Sequence, residues 1–138
     1  VDALLAGGYI APDRVAPSWR ILIAWLEELA AATRRVVWDA AAFDRIEWNL
    51  ARAGLNSDYS LRSLTDRDLG IPLRPLPGHA AGYAKHVHAV ETLAGIRAAF
   101  GHPELTDEDR AFLAPIVEVL EVAAVQPHLD VVVVGAAA

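Results

Sequence analysis

The stretch GHAAGYAKHVHAVETLAGIRAAF, from Gly78 to Phe100, decides how this chain is interpreted. Prolines precede it and Gly101 follows it, so we predict one helix over the whole stretch. At roughly 100° per residue, His79, His86 and Arg97 fall within one narrow sector of that helix, on its most apolar side. The residues predicted to point the opposite way, toward solvent, are Lys85, His88 and Thr92.

Polar side chains in an apolar sector indicate a pocket. An imidazole at His86, a guanidinium at Arg97 and a phenol at Tyr83, with His79 on the same side, can hold an anionic or aromatic ligand between helices. His86 is also a candidate catalytic residue, because imidazole is the usual general base near neutral pH. The alternative is structural: His86 donates to a backbone carbonyl in the core, and Arg97 buries only its stem.

The same histidines do not form a metal-binding pattern. His79 and His86 stand seven residues apart, which separates them by about 10 Å along a helix axis. Helical ligands of one ion are usually three or four residues apart, and the one nearby pair with that spacing, His88 and Glu91, lies on the predicted polar side. We therefore predict no metal site, and the sequence identifies no cofactor.

Three further segments have a helical pattern. Apolar residues recur at spacings of three and four after Ser18, which is a favourable N-cap, and Asp39 and Gly54 are suited to begin and end the next helix. The predicted helices are Ser18 to Trp38, Asp39 to Ala53, Gly78 to Phe100 and Asp107 to Val125. We therefore predict a mainly α fold, a four-helix bundle-like domain.

The last of these helices has its own start signal and an internal irregularity. Thr106 and Asp109 have the spacing of a capping box, and the acidic residues that follow Thr106 suit the positive end of a helix. Pro115 lies inside the segment, where it removes a backbone donor. We expect the helix to kink or restart at this proline.

The remaining segments connect or extend the bundle. We predict one domain over residues 1–138, with an N-terminal arm at 1–17, a Pro-rich crossover loop at 55–77 and an apolar tail at 127–138. A loop of this length is often functional. The alternative is that it only packs its apolar side chains on the bundle; these are Leu69, Ile71, Leu73 and Leu76.

The tail LDVVVVGAAA, from Leu129 to Ala138, is strand-like because valine is β-branched. An uncharged run of Val131, Val132, Val133 and Val134 needs a cover, so it packs on its own bundle or pairs with another subunit. The run also has the character of a first strand entering a dinucleotide-binding turn, although only Gly135 of the glycine pattern is present. Trp48, on the outer side of its helix, is a second candidate interface residue, or simply an exposed side chain.

Composition narrows the class of protein. The 138 residues carry a formal charge of -6 and no Lys/Arg run, so we expect no nucleic-acid partner. No apolar stretch reaches the roughly 20 residues that a bilayer span requires, so we expect no membrane partner and a cytoplasmic location. Cysteine and methionine are absent, and the chain begins with Val, which we interpret as a processed or partial product.

These observations favour a non-catalytic helical interaction or assembly module, which forms a homo-oligomer or is a subunit of a larger complex. Its expected contact surfaces are Trp48, the Pro-rich loop and the valine tail. One alternative is a small-molecule-binding protein or a cofactor-independent enzyme with the His86, Arg97 and Tyr83 pocket. A second is a helical region that precedes a dinucleotide-binding domain in a longer chain.

Overall fold

The computed structural model describes residues 12–37, 40–71, 73 and 80–135. Most of them belong to four α-helices: α1 is Val15–Leu29, α2 is Ala40–Arg52, α3 is His86–Phe100 and α4 is Asp107–Ala124. The strands β1, Ala80–Ala84, and β2, Val131–Gly135, form an antiparallel sheet. Three short 3-10 helices lie at Pro12–Arg14, Ser57–Tyr59 and Arg62–Thr65. The prediction of a mainly helical protein is confirmed.

Helix α1 begins and ends earlier than its sequence pattern indicated. It starts at Val15, so Pro17 lies in the first turn, where its missing N–H costs no helical hydrogen bond. Ser18 is buried inside the helix and does not cap it. Ala30, with a ψ of 144°, already has extended backbone. The predicted continuation to Trp38 is therefore wrong over residues 30–37, which follow an irregular path.

Two ion pairs accompany this irregular path. Arg34 Nε lies 2.7 Å from Glu118 Oε2 on α4, and Arg35 Nη2 lies 2.5 Å from Glu27 Oε1 on α1. Helix propensities among ordinary residues differ by less than about 1 kcal/mol, so tertiary contacts readily override them. Because the pairs are exposed, each contributes little by itself. They mark where residues 30–37 contact α1 and α4.

Helix α2 agrees with its prediction. Ala40–Arg52 lies within the expected range, and Asp39, its expected cap, falls outside the described residues. Gly54 has a φ of +100°, in the left-handed region that favours glycine. The prediction that Gly54 terminates this helix is confirmed.

The largest correction concerns the predicted helix from Gly78 to Phe100. Residues 80–84 are not helical: they form β1, and α3 begins only at His86. The partner of β1 is β2, with Tyr83 opposite Val132 in the register. The alanines of β1 favour a helix by themselves, so pairing with a valine strand far along the chain overrides their local preference.

Helix α4 has the predicted start. The Thr106 hydroxyl accepts from the Asp109 N–H, and the Asp109 carboxylate accepts from the Thr106 N–H, which completes a capping box. The helix continues through Pro115 as one element, so it does not restart there. The prediction of the capping box is confirmed.

The two-stranded sheet lies between two apolar clusters. Side chains alternate along a strand, so each strand contributes to both faces. One face packs on the main core, which α2, α3 and α4 supply, and contains Ala84, Val131 and Val133. The other face packs on a smaller cluster around Trp19 of α1 and Leu73, and contains Ala81 and Val134. The valine strand therefore packs on its own chain through both faces, although only Val131 of its residues is buried.

The described part of the segment between α2 and β1, residues 53–71 and 73, packs closely on the rest of the chain. Leu69, Ile71 and Leu73 join the Trp19 cluster, as the structural interpretation of the loop predicted, while Leu76 lies outside the described residues. A Cβ at Gly82 would lie 2.3 Å from the Thr65 carbonyl oxygen. Only glycine lets β1 lie this close to the 3-10 helix Arg62–Thr65.

Candidate functional site

The residues of the predicted pocket occupy different elements. Tyr83 lies in β1, His86 is the first residue of α3, and Arg97 lies in the last turn of α3. His86 and Arg97 are therefore about 16 Å apart along the helix axis, at 1.5 Å per residue. His79 lies outside the described residues. The structure does not gather Tyr83, His86 and Arg97 around one cavity.

Helix α3 also buries a different face from the expected one. Its buried residues are Ala89, Thr92, Leu93, Ile96 and Ala99. At roughly 100° per residue, their sector is displaced by about a quarter turn from the one that contains His86 and Arg97. The prediction that Thr92 points to solvent is wrong, since Thr92 is fully buried. Its hydroxyl oxygen has no hydrogen-bond partner among the described residues.

The His86 backbone and the Arg97 side chain both have local binding partners. The His86 backbone N–H donates to Asp130 Oδ1 at 3.0 Å, and His86 Nδ1 is buried without a hydrogen-bond partner among the described residues. Arg97 is exposed and lies 3.1 Å from Glu121 on α4. The Asp130 contact joins the start of α3 to the residue before β2.

Sequence reasoning missed a second polar pair, between Ser63 and His88. Ser63 Oγ lies 2.8 Å from His88 Nε2, a distance that also suits a nucleophile and its base. However, Ser63 is buried and its hydroxyl donates to the Ser60 carbonyl at 2.5 Å, so its proton is already engaged and His88 is the donor to Ser63. The pair therefore joins α3 to the 3-10 helices as a structural contact.

A third polar group surrounds Asp109, which is fully buried. Asn49 on α2 donates to Asp109 Oδ2 at 2.9 Å, and the Thr106 N–H donates to the same oxygen at 3.0 Å. Burial acts to raise the pKa of this carboxyl, but these hydrogen bonds and the charge of Arg45 outweigh it, so the pKa lies below its ordinary value of 3.8. This network connects α2 to the start of α4 and has a structural role.

The described residues form a groove of about 620 Å³. It lies between the end of α1, residues 30–37, α4 and β2. Its volume is in the range of typical ligand sites. The lining is mostly apolar and includes Ile23, Leu26, Leu29, Val37, Val122 and Val132. We call this feature the α1–β2 groove.

Several apolar side chains of the α1–β2 groove are unusually exposed. Leu29 is 85 % exposed, Val37 is 86 % exposed and Val132 is 42 % exposed. A single exposed apolar residue is ordinary, but a group on one concave surface is typical of a binding site. Of the predicted pocket residues that the structure describes, none lines this groove, whereas Val131, Val132 and Val134 of the predicted tail interface do.

Trp48, the other predicted interface residue, is 65 % exposed on α2. It does not line the α1–β2 groove. Neighbours on the same helical face are Arg45 and Arg52, which pair with Glu108 and Glu104. Trp48 therefore lies on a separate, charged surface.

No protein family, no curated protein and no solved structure matches the chain. Among the described residues, no group of three histidine or carboxylate side chains is placed to hold a metal ion. None of the helices in the described segments is long and apolar enough to cross a bilayer. The groove itself therefore carries the functional argument.

Proposed function

We propose that this chain is a protein-interaction module and that the α1–β2 groove is its docking surface for an apolar segment of a partner. The observation that carries this proposal is the joint exposure of Leu29 and Val37 beside the half-open groove. Fully burying one such side chain is worth about 1.5–3 kcal/mol. A partner that covers both gains a substantial part of an ordinary binding free energy.

The valine strand supports the same proposal. Its two faces pack on the main core and on the Trp19 cluster, yet Val132 remains half-covered at the groove. In a strand that serves only the core, we would expect the Val132 side chain to be covered as well. The pairing of β2 with β1 is antiparallel, whereas the first strand of a dinucleotide-binding unit lies in a parallel sheet. The interaction proposal therefore has more structural support than the dinucleotide alternative.

The proposal is tested by two groove variants, Leu29→Glu and Val37→Glu, against two control variants, Val87→Glu and Val125→Glu. The control positions are 73 % and 76 % exposed and lie outside the groove lining. We expect the fluorescence of an apolar dye, anilinonaphthalene sulfonate, to fall in the groove variants only. Circular dichroism checks that all four variants remain folded.

Sedimentation velocity with the same variants tests homo-oligomerisation. If a second copy occupies the groove, the wild type and both controls associate with rising concentration, and both groove variants do not. Equal dye fluorescence in all five proteins, together with unchanged sedimentation, contradicts the proposed docking surface.

A further inference from the structure

We propose that the α1–β2 groove receives an extended segment that adds to the outer edge of β2 as an antiparallel third strand, with a Lys or Arg opposite Asp130. This inference rests on the proposed function and defines the chemistry of the partner. Addition of a strand to an exposed sheet edge is a common mode of peptide recognition. In this mode main-chain hydrogen bonds supply affinity and alternate side chains supply specificity.

The direction of the β2 backbone groups follows from one hydrogen bond. The Tyr83 N–H donates to the Arg67 carbonyl at 2.9 Å, so the backbone of Tyr83 faces away from β2. Tyr83 is opposite Val132, which makes them a non-hydrogen-bonded pair in the ladder. The N–H and C=O groups of Val132 therefore point to the outer edge of β2, and by the period of two so do those of Val134.

No backbone bond from another described segment reaches this edge. The backbone hydrogen bonds outside the regular elements in the described ranges do not involve Val132 or Val134. The edge contains no proline or charged residue, the features that usually protect an exposed strand from further pairing. Two residues thus offer two donors and two acceptors to an incoming chain.

The side chains of the same alternate residues determine the specificity. Asp130, Val132 and Val134 all line the groove. In an antiparallel pair, directly opposite residues share a face, so the incoming residues opposite Val134 and Val132 enter the apolar groove. The partner pattern, read from its N-terminus, is apolar, any residue, apolar, any residue, and then the position opposite Asp130.

Charge complementarity assigns the last position. Of the acidic and basic residues that line the groove, Glu27 pairs with Arg35, and Arg34 pairs with Glu118. Asp130 is exposed and has no ion pair with a described residue, although it accepts the His86 N–H. An opposite-charge pair across two strands is stabilising. A Lys or Arg is therefore the matching residue at this position.

Strand β1 provides an internal example of the same pattern. On the inner edge of β2, Ala81 is opposite Val134 and Tyr83 is opposite Val132. If this register is continued by one residue beyond both strands, Lys85 falls opposite Asp130. The proposed segment repeats this order of two apolar residues and one basic residue on the outer edge.

Two capped hexapeptides test the inference. TVTVTK has the proposed order, and KTVTVT has the same composition with its lysine at the other end. Each is titrated into the full ¹⁵N-labelled chain, and amide chemical shifts are followed. We expect TVTVTK to shift the outward amides of Val132 and Val134 more than the amide of Val133, which already faces β1.

The charge and the edge are tested separately. We expect TVTVTK to bind about two- to fivefold more tightly than KTVTVT, because an exposed ion pair contributes that much to affinity. It should vanish in Asp130→Asn, which keeps an acceptor for the His86 N–H. Methylating the backbone nitrogen of the peptide valine opposite Val132 should weaken binding to the wild-type chain about tenfold or more. This modified peptide requires no change to the protein.

The outcomes separate this inference from the proposed function. If both peptides bind equally and Val37→Glu abolishes both, directed strand addition is overturned and the docking surface stands. If neither peptide binds, or if the Val132 and Val134 amides shift with protein concentration alone because a second copy occupies the edge, strand addition by a basic segment is overturned. If shifts arise but Val37→Glu and N-methylation leave them unchanged, both proposals fail.

Discussion

Replacing Gly82 with alanine should separate β1 from the 3-10 helix Arg62–Thr65. A Cβ at this position would lie 2.3 Å from the Thr65 carbonyl oxygen and 2.7 Å from the Thr65 Cα and carbonyl carbon. All three are backbone atoms, so no rotamer change relieves the overlap. To restore an ordinary contact, β1 or the 3-10 helix must move by about 1 Å.

The cost has three parts. Overpacking of this kind costs about 1–3 kcal/mol. A shift of 1 Å also disturbs the hydrogen bond from the Tyr83 N–H to Arg67, a loss of about 0.5–1.5 kcal/mol. Alanine has less conformational freedom than glycine in the unfolded chain, which offsets about 0.4–1 kcal/mol of this loss of stability. The middle of these three ranges gives an expected loss of about 2–3 kcal/mol in the free energy of unfolding for Gly82→Ala.

Two other glycines of the chain serve as matched controls. At Gly101, whose φ is −87°, a Cβ has no heavy atom within 4 Å. At Gly95 it would meet only the tip of the Leu55 side chain, which can rotate, and alanine gains about 1 kcal/mol of helix propensity there. We expect both Gly101→Ala and Gly95→Ala to stay within about 1 kcal/mol of the wild type.

Urea unfolding and calorimetry measure these differences. The Gly82→Ala loss corresponds to a fall in Tm of roughly 6–12 °C for a chain of this size. If Gly82→Ala unfolds within about 0.5 kcal/mol of the wild type and keeps its far-UV dichroism, the close approach of β1 to Thr65 is refuted.

Two further expectations concern buried polar groups. Thr92→Val should raise the free energy of unfolding by about 1 kcal/mol in urea titrations, because it removes a buried hydroxyl that has no partner among the described residues; a loss of stability would reveal a hydrogen bond at Thr92. Asp109→Asn should cost about 1–2 kcal/mol at neutral pH through the weakened capping box. Because the native pKa of the Asp109 carboxyl lies below 3.8, this advantage of the wild type is complete above that pH and is lost as the pH falls through the native pKa. A difference between the two proteins that does not change with pH would contradict this assignment.

Much of the helical part of the fold follows from local signals. The capping box of Thr106 and Asp109 and the left-handed Gly54 are set by neighbouring residues, and the structure contains both. The end of α1 and the start of α3 are different, because β1 pairs with the distant strand β2 and residues 30–37 lie against α4, where Arg34 pairs with Glu118. No local pattern contains that information.

The candidate site also combines features that the local sequence indicates with features that only tertiary contacts create. The need of the valine tail for a cover was visible in its composition, and Trp48 is exposed on α2, on the side its helical position indicated. The predicted pocket required one continuous helix. Because β1 replaces the first turns of that helix, the residues of the predicted pocket lie on different elements. The α1–β2 groove, whose wall contains Leu29 and Val37, was not visible from the sequence, because it requires α1 to stop at Leu29.

The amino-acid order alone indicated a mainly helical chain, the capped start of α4, the end of α2 at Gly54 and the strand character of the valine tail. Only the tertiary structure decided the partner of that strand, the face that α3 buries, and the groove. The physical reason is range: caps and periodicity act within a few residues, whereas strand pairing and burial depend on segments brought together only when the chain folds.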